Sequence, residues 1–189
     1  MPGRNATLKT GTMANLLFLD LSPEWNGWCI GRGRQTPLAD AFQLPKCGDD
    51  PAALGEAFEN HVELLIRNHH PVAIGYESPL LRKHDKLMTL RRTYGLGFFL
   101  EQIARRHGID RKEVDVRKVK QAMTGDSFAE KKHMIAAAIS YGIDLPKSGE
   151  GRDDAADAAG GAFELMAEFD PDAHAYWQSR VSQRNGALL

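Results

Sequence analysis

The stretch "LLFLDLSPEWNGWCIG", residues 16–31, decides how this chain is read. Leu16 to Leu19 is an unbroken apolar run of the kind that forms a buried strand. It ends on Asp20, and a polar turn through Ser22, Pro23 and Glu24 leads into a second apolar run. An ionised carboxylate at the end of a buried strand is costly unless it neutralises, pairs or binds a metal. Three readings follow for Asp20. It caps a turn, pairs with a lysine or arginine, or belongs to an acid cluster that holds a cation.

Working outward, strands are expected at 15–21, 27–33 and 37–43, close enough together for an antiparallel meander. Leu54, Ala57, Phe58, Val62, Leu65 and Ile66 recur at three- and four-residue steps, which predicts a helix over 52–68. "PVAIGYE" (71–77) is another short apolar run, and it too ends on an acid, Glu77. Residues 85–107 read as a long amphipathic helix, and "EVDVR" (113–117) as a brief alternating strand. Ser127 and Glu130 have capping-box spacing, which predicts a helix from there to about Tyr141. "RDDAADAAGGAFELMAEF" (152–169) reads as a last helix packed closely through its alanines and glycines. The segment after Asp170 carries Trp177 but no clear period. This order predicts an α/β fold, a mixed five-stranded sheet with helices on its faces.

With 189 residues, 42% hydrophobic and 26% charged, the chain suits one globular domain. The expected organisation is a flexible N-terminal arm over 1–14, a domain over 15–170 and a C-terminal tail over 171–189. No apolar run approaches the roughly 18 residues of a membrane span, and no secretory hydrophobic region is seen. Cys29 and Cys47 lack metal-type spacing, so a reducing, cytoplasmic setting without a disulfide framework is expected. Net charge is −1 overall, but residues 82–132 carry 14 Lys or Arg against 7 Asp or Glu. A basic middle between acidic flanks suits a protein that binds a polyanion and keeps a carboxylate-rich site, although solvated helix faces would give the same pattern.

In a mixed sheet of this order the first strand is central and the fourth lies beside it in parallel. Asp20 and Glu77 then meet at the carboxyl ends of neighbouring strands, the edge where open α/β sheets bind ligands. The last helix adds Asp153, Asp154 and Asp157, with Asp157 on one face with the other two. Each acid also has an ordinary explanation: turn former for Asp20, strand-end charge for Glu77, N-cap for Asp153, first-turn acid for Asp154. Together they repel one another unless a cation sits among them, and an oxygen-only set suits Mg²⁺ or Mn²⁺.

These residues give the chain its resemblance. Asp20 is followed by Ser22 and Gly27, a hydrophobic strand ends in Glu77, "VKQAMTGDSFAEK" spans 119–131, and "DAADA" (154–158) opens the last helix. In that order they resemble the RuvC-type Holliday-junction resolvases, a branch of the ribonuclease-H-like nucleases. The resemblance covers residues 16 to about 166. It implies a metal-dependent endonuclease, usually a homodimer, that cuts four-way junctions or other branched DNA by phosphodiester hydrolysis. By position it implies Asp20, Glu77, Asp154 and Asp157 as ligands of two Mg²⁺ or Mn²⁺ ions, with Lys120 and Lys131 facing phosphate. Arg82, Lys83, Lys86, Arg91 and Arg92, on a stretch more basic than the family's, are expected to line a DNA groove. Two alternatives stay open: a related nuclease acting on RNA or RNA–DNA hybrids, and a catalytically silent module that binds branched DNA.

Overall fold

The computed structural model describes residues 14–47, 50–79, 87–147, 149 and 151–186. The expected arm, apart from Ala14, lies outside the described residues, as do Arg82, Lys83 and Lys86.

Five strands form one sheet: β1 (Asn15–Asp20), β2 (Trp25–Arg32), β3 (Gln35–Gln43), β4 (Ala73–Glu77) and β5 (Asp110–Val114). Their order is β3-β2-β1-β4-β5. The first three run antiparallel, as the short turns between them require, and β4 and β5 add in parallel on the other side of β1. β1 is therefore central, as its continuous apolar run demands.

Side chains alternate across a strand, so β1 feeds two cores. Leu16 and Phe18 face one cluster with α5 (Arg152–Phe169), α3 (Val116–Thr124), α4 (Lys131–Ser140) and α6 (Pro171–Gly186). Leu17 and Leu19 face the other, built on α1 (Pro51–His69) and α2 (Leu87–His107). The mixed sheet with helices on both faces is as the sequence predicts.

α5 lies directly on the sheet because it is paved with small residues. Ala155, Ala156, Ala158, Ala159 and Ala162 are fully buried. A Cβ at Gly161 would overlap the ring of Phe18, so only glycine lets the helix axis come this close.

Three local expectations need correction. The strand expected at 113–117 lies earlier, at 110–114: β5 ends at Val114, and Asp115 caps α3 by accepting the backbone N–H of Arg117 at 2.7 Å. Lys120 thus sits within α3. The helix expected from Ser127 begins at Lys131, because Asp126 accepts the N–H of Phe128 at 2.9 Å and holds 126–129 as a turn. Glu130 is its N-cap, and the Glu130 N–H donates to Nδ1 of His133 at 3.3 Å. Finally, the segment after Asp170 is helical. Trp177 on α6 is buried, stacks on Phe163 at 4.8 Å between centroids and donates its indole N–H to the Gly33 carbonyl at 2.9 Å.

Candidate active site

Strand parity places the first two acids. Asp20 follows Leu16 and Phe18 onto the α5 side of the sheet. Glu77 shares its side with Ala73, which packs in the same cluster. Leu19 pairs with Tyr76 in the parallel ladder, so Asp20 and Glu77 are next in register at the carboxyl ends of their strands. That is the edge to which the sequence pointed.

The N-terminus of α5 brings the remaining acids to that edge. Asp20 pairs with Gly27 across the β1–β2 ladder. The carbonyl of Asp154 occupies the space that a side chain at Gly27 would fill. Asp157, one turn further on, reaches into the same region and leaves its Oδ1 buried without a hydrogen-bond partner. The N-cap of α5 is Gly151, in a left-handed conformation at φ 90°, and not Asp153.

Electrostatics ties these groups together. Burial pushes the Asp20 carboxyl well above its ordinary range, and Glu77, Asp157 and Asp154 push it further, with Lys131 opposing. Asp154 is raised to about 6 by burial and by Asp153, against the pull of Lys131. Asp157 is also raised to about 6 by burial, opposed by Lys131 and Lys120 and reinforced by Asp153 and Asp154. A desolvated carboxylate next to others favours the proton over the charge, and a bound cation would reverse that preference.

The two lysines stand at this edge. Lys131 hydrogen-bonds Asp153, and that bond, with the charges of Asp153, Asp154 and Asp157, raises its pKa against the effect of burial. Burial works to raise Asp153, but the Lys131 contact and the backbone N–H groups of the first helical turn bring it below its ordinary value. Sequence spacing could not separate Asp153 from Asp154. In the structure Lys131 hydrogen-bonds Asp153, whose pKa falls, whereas Asp154 feels Lys131 only through its charge and stays raised.

Of the basic groove residues within the described part, Arg91 is exposed on α2. Arg92 lines a cleft of about 630 Å³ that also takes in Ser22, Glu24, Lys46, Asp50 and Thr89. This cleft opens two residues beyond Asp20, and no sequence signal announced it, since it is assembled from segments far apart in the chain. Two further residues were not singled out beforehand. Phe128 is exposed in the turn before α4, with the Arg117 guanidinium 5.3 Å from its ring centroid. A lone aromatic within a polar turn was the available signal.

The acids suit a hard divalent cation in their chemistry, being all oxygen, partly desolvated and mutually repelling. Among the described residues, no three His, Cys, Asp or Glu side chains stand together closely enough to hold a metal ion by themselves. Mg²⁺ keeps several waters and is usually bound through one or two carboxylates together with substrate phosphate.

No protein-family model matches the sequence, and no curated protein matches it. Among solved structures the chain is similar to Thermus thermophilus RuvC, with a TM-score of 0.61 and 16% identity over 82% of this chain and 96% of that one. It is similar to T. thermophilus RuvC in complex with a Holliday junction substrate, with a TM-score of 0.67, 14% identity and the same coverage. It is also similar to Ydc2, the yeast mitochondrial Holliday junction resolvase, with a TM-score of 0.61 and 12% identity over 91% of this chain and 82% of that one. No helix among the described residues is long and apolar enough to cross a membrane. At these identities the likeness is one of architecture, and the chain has the fold of the RuvC-type resolvases.

Proposed function

We propose that this protein is a metal-dependent endonuclease that resolves four-way junctions or other branched DNA by hydrolysing phosphodiesters. The observation that carries the reading is the meeting of Asp20, Glu77, Asp154 and Asp157 at one sheet edge. There burial raises the carboxyls of Asp20, Asp154 and Asp157 above their ordinary range, and neighbouring acids add to the shift, so that their charged forms are held at a cost.

In this reading these four acids hold Mg²⁺ or Mn²⁺. The ions supply Lewis acidity toward the attacking water and the leaving 3′ oxygen. The chain's own residues do the rest. Asp20, Glu77, Asp154 and Asp157 would supply the carboxylates at that edge, near enough to act on one another electrostatically. Lys131, anchored by Asp153, and Lys120, on α3, set positive charge beside the acids and offset phosphate charge as the backbone enters. Arg92 extends positive charge from α2 into the neighbouring cleft, with Arg82, Lys83 and Lys86 before that helix in sequence. Such contacts add affinity without base readout.

Paired cuts across a junction need two sites, and the proposed assembly is a homodimer. α2 supports it by exposing Leu87, Tyr94 and Phe98, at 80, 39 and 68% of their surface. Spacings of seven and four residues put the three on one helical face.

The test is incubation of the purified protein with a labelled four-way junction, a matched duplex and an RNA–DNA hybrid, with and without Mg²⁺ or Mn²⁺. Metal-dependent nicks confined to the junction support the proposal. Cutting of the hybrid alone replaces it with a ribonuclease reading, and junction binding without cutting replaces it with a silent binding module.

A further inference from the structure

The turn between α3 and α4 holds an aromatic ring out into water. Phe128 keeps 72% of its surface exposed, whereas the adjacent Ala129 is buried and anchors the turn. The position is braced rather than loose. Asp126 accepts the Phe128 N–H at 2.9 Å, and the Thr124 hydroxyl accepts the Asp126 N–H at 3.0 Å. A ring of this size forgoes hydrophobic stabilisation unless something covers it.

The surroundings say what that something is. The Arg117 guanidinium stands over the ring at 5.3 Å from its centroid. Arg117 also lines a hollow of about 300 Å³ with Lys118, Gln121, Ser127 and Glu164. Two cations, an amide, a hydroxyl and one carboxylate offer both donors and acceptors. Such a mixture matches the edge of a nucleobase better than a bare phosphate, which the carboxylate would repel. Three residues after Phe128, Lys131 holds Asp153 at the acidic edge, so the turn that carries the ring leads directly into the residue anchored there.

We propose that Phe128, with Arg117 against it, is a stacking platform for an unpaired nucleobase at the branch point, and that the hollow beside it receives that base's polar edge. Bases inside a duplex have both faces covered by their neighbours. Only a base released from the stack can lie on a protein ring. The platform therefore selects DNA with an open branch point over continuous duplex. This inference rests on the branched-DNA reading and names the residue that would make the selection.

The experiment uses the full chain in metal-free buffer, which prevents cleavage. The probe is a synthetic four-way junction with 2-aminopurine at the branch point, alongside a matched duplex. Because Phe128 is exposed, Phe128→Ala is expected to keep the wild-type Tm. It should bind the junction roughly 5- to 50-fold more weakly, as loss of one stacked base predicts, and bind duplex within about twofold of wild type. The 2-aminopurine signal change on binding should vanish with Phe128→Ala and persist with Phe128→Trp. If wild type prefers the junction and Phe128→Ala matches it in affinity and fluorescence, the platform is refuted while the branched-DNA reading stands. If wild type shows no preference for the junction over duplex, that reading falls and takes the platform with it.

Discussion

Gly27 and Asp154 meet backbone to backbone: the Asp154 carbonyl lies where a Cβ at position 27 would have to be. Gly27 is also the ladder partner of Asp20. One missing side chain thus lets the first turn of α5 settle on β2 and brings the helix acids to the strand acid.

Gly27→Ala tests that relationship. The methyl group must displace the helix N-terminus, since both colliding partners are main chain. Overpacking of this kind costs on the order of 1–3 kcal/mol, so the Tm should fall by several degrees. Cleavage should fall by more than tenfold. A Gly27→Ala protein with wild-type Tm and full activity would contradict the packing described.

The raised carboxyls carry a stability consequence with a definite sign. Asp157 has a folded pKa of about 6 against an ordinary value of 3.8. In the metal-free protein its penalty is absent below about pH 4, grows between pH 4 and 6, and is complete above that. Asp157→Asn should therefore stabilise the metal-free fold by on the order of 1–2 kcal/mol at pH 7.5 and by little at pH 4. Thermal melts of both proteins across this range check it. A variant that melts below wild type at pH 7.5 would mean Asp157 is relieved within the protein.

Lys131 is two-thirds exposed, so its bond to Asp153 adds little to stability. Lys131→Ala should change the Tm by no more than about 2 °C, consistent with an exposed pair. It should nevertheless reduce the cleavage rate by at least tenfold, because the charge beside Asp154 and Asp157 is gone. A rate within twofold of wild type would remove Lys131 from the site.

For the assembly, Phe98→Glu places a charge in the exposed stripe of α2. Sedimentation should show wild type as a dimer and the variant as a monomer. The variant should nick one strand of a junction without the paired second cut. A wild-type monomer at every working concentration would dispose of the two-site mechanism.

Much of this was legible in the chain, for identifiable reasons. The order of strands and helices put β1 at the centre with β4 beside it in parallel, and so put Asp20 and Glu77 at the ends of neighbouring strands. What escaped prediction was decided by short-range competition. Asp115 sits between two valines in a pattern that alternates like a strand, yet its carboxylate accepts a backbone N–H and starts α3. Ser127 and Glu130 match a capping box, but Asp126 holds the turn first and passes the helix start to Glu130. In α6, Ala173, Trp177 and Val181 are buried at four-residue steps, a stripe too thin to register against its polar neighbours. The choice of Asp153 as the partner of Lys131 depended on two helix termini meeting, which spacing along one helix does not encode.

The most direct measurement compares wild type with Asp20→Asn on a labelled four-way junction in Mg²⁺, following binding and cleavage in the same samples. The account predicts that wild type cuts and that Asp20→Asn binds with similar affinity but cuts at least a hundredfold more slowly. Cleavage by Asp20→Asn at the wild-type rate would contradict it.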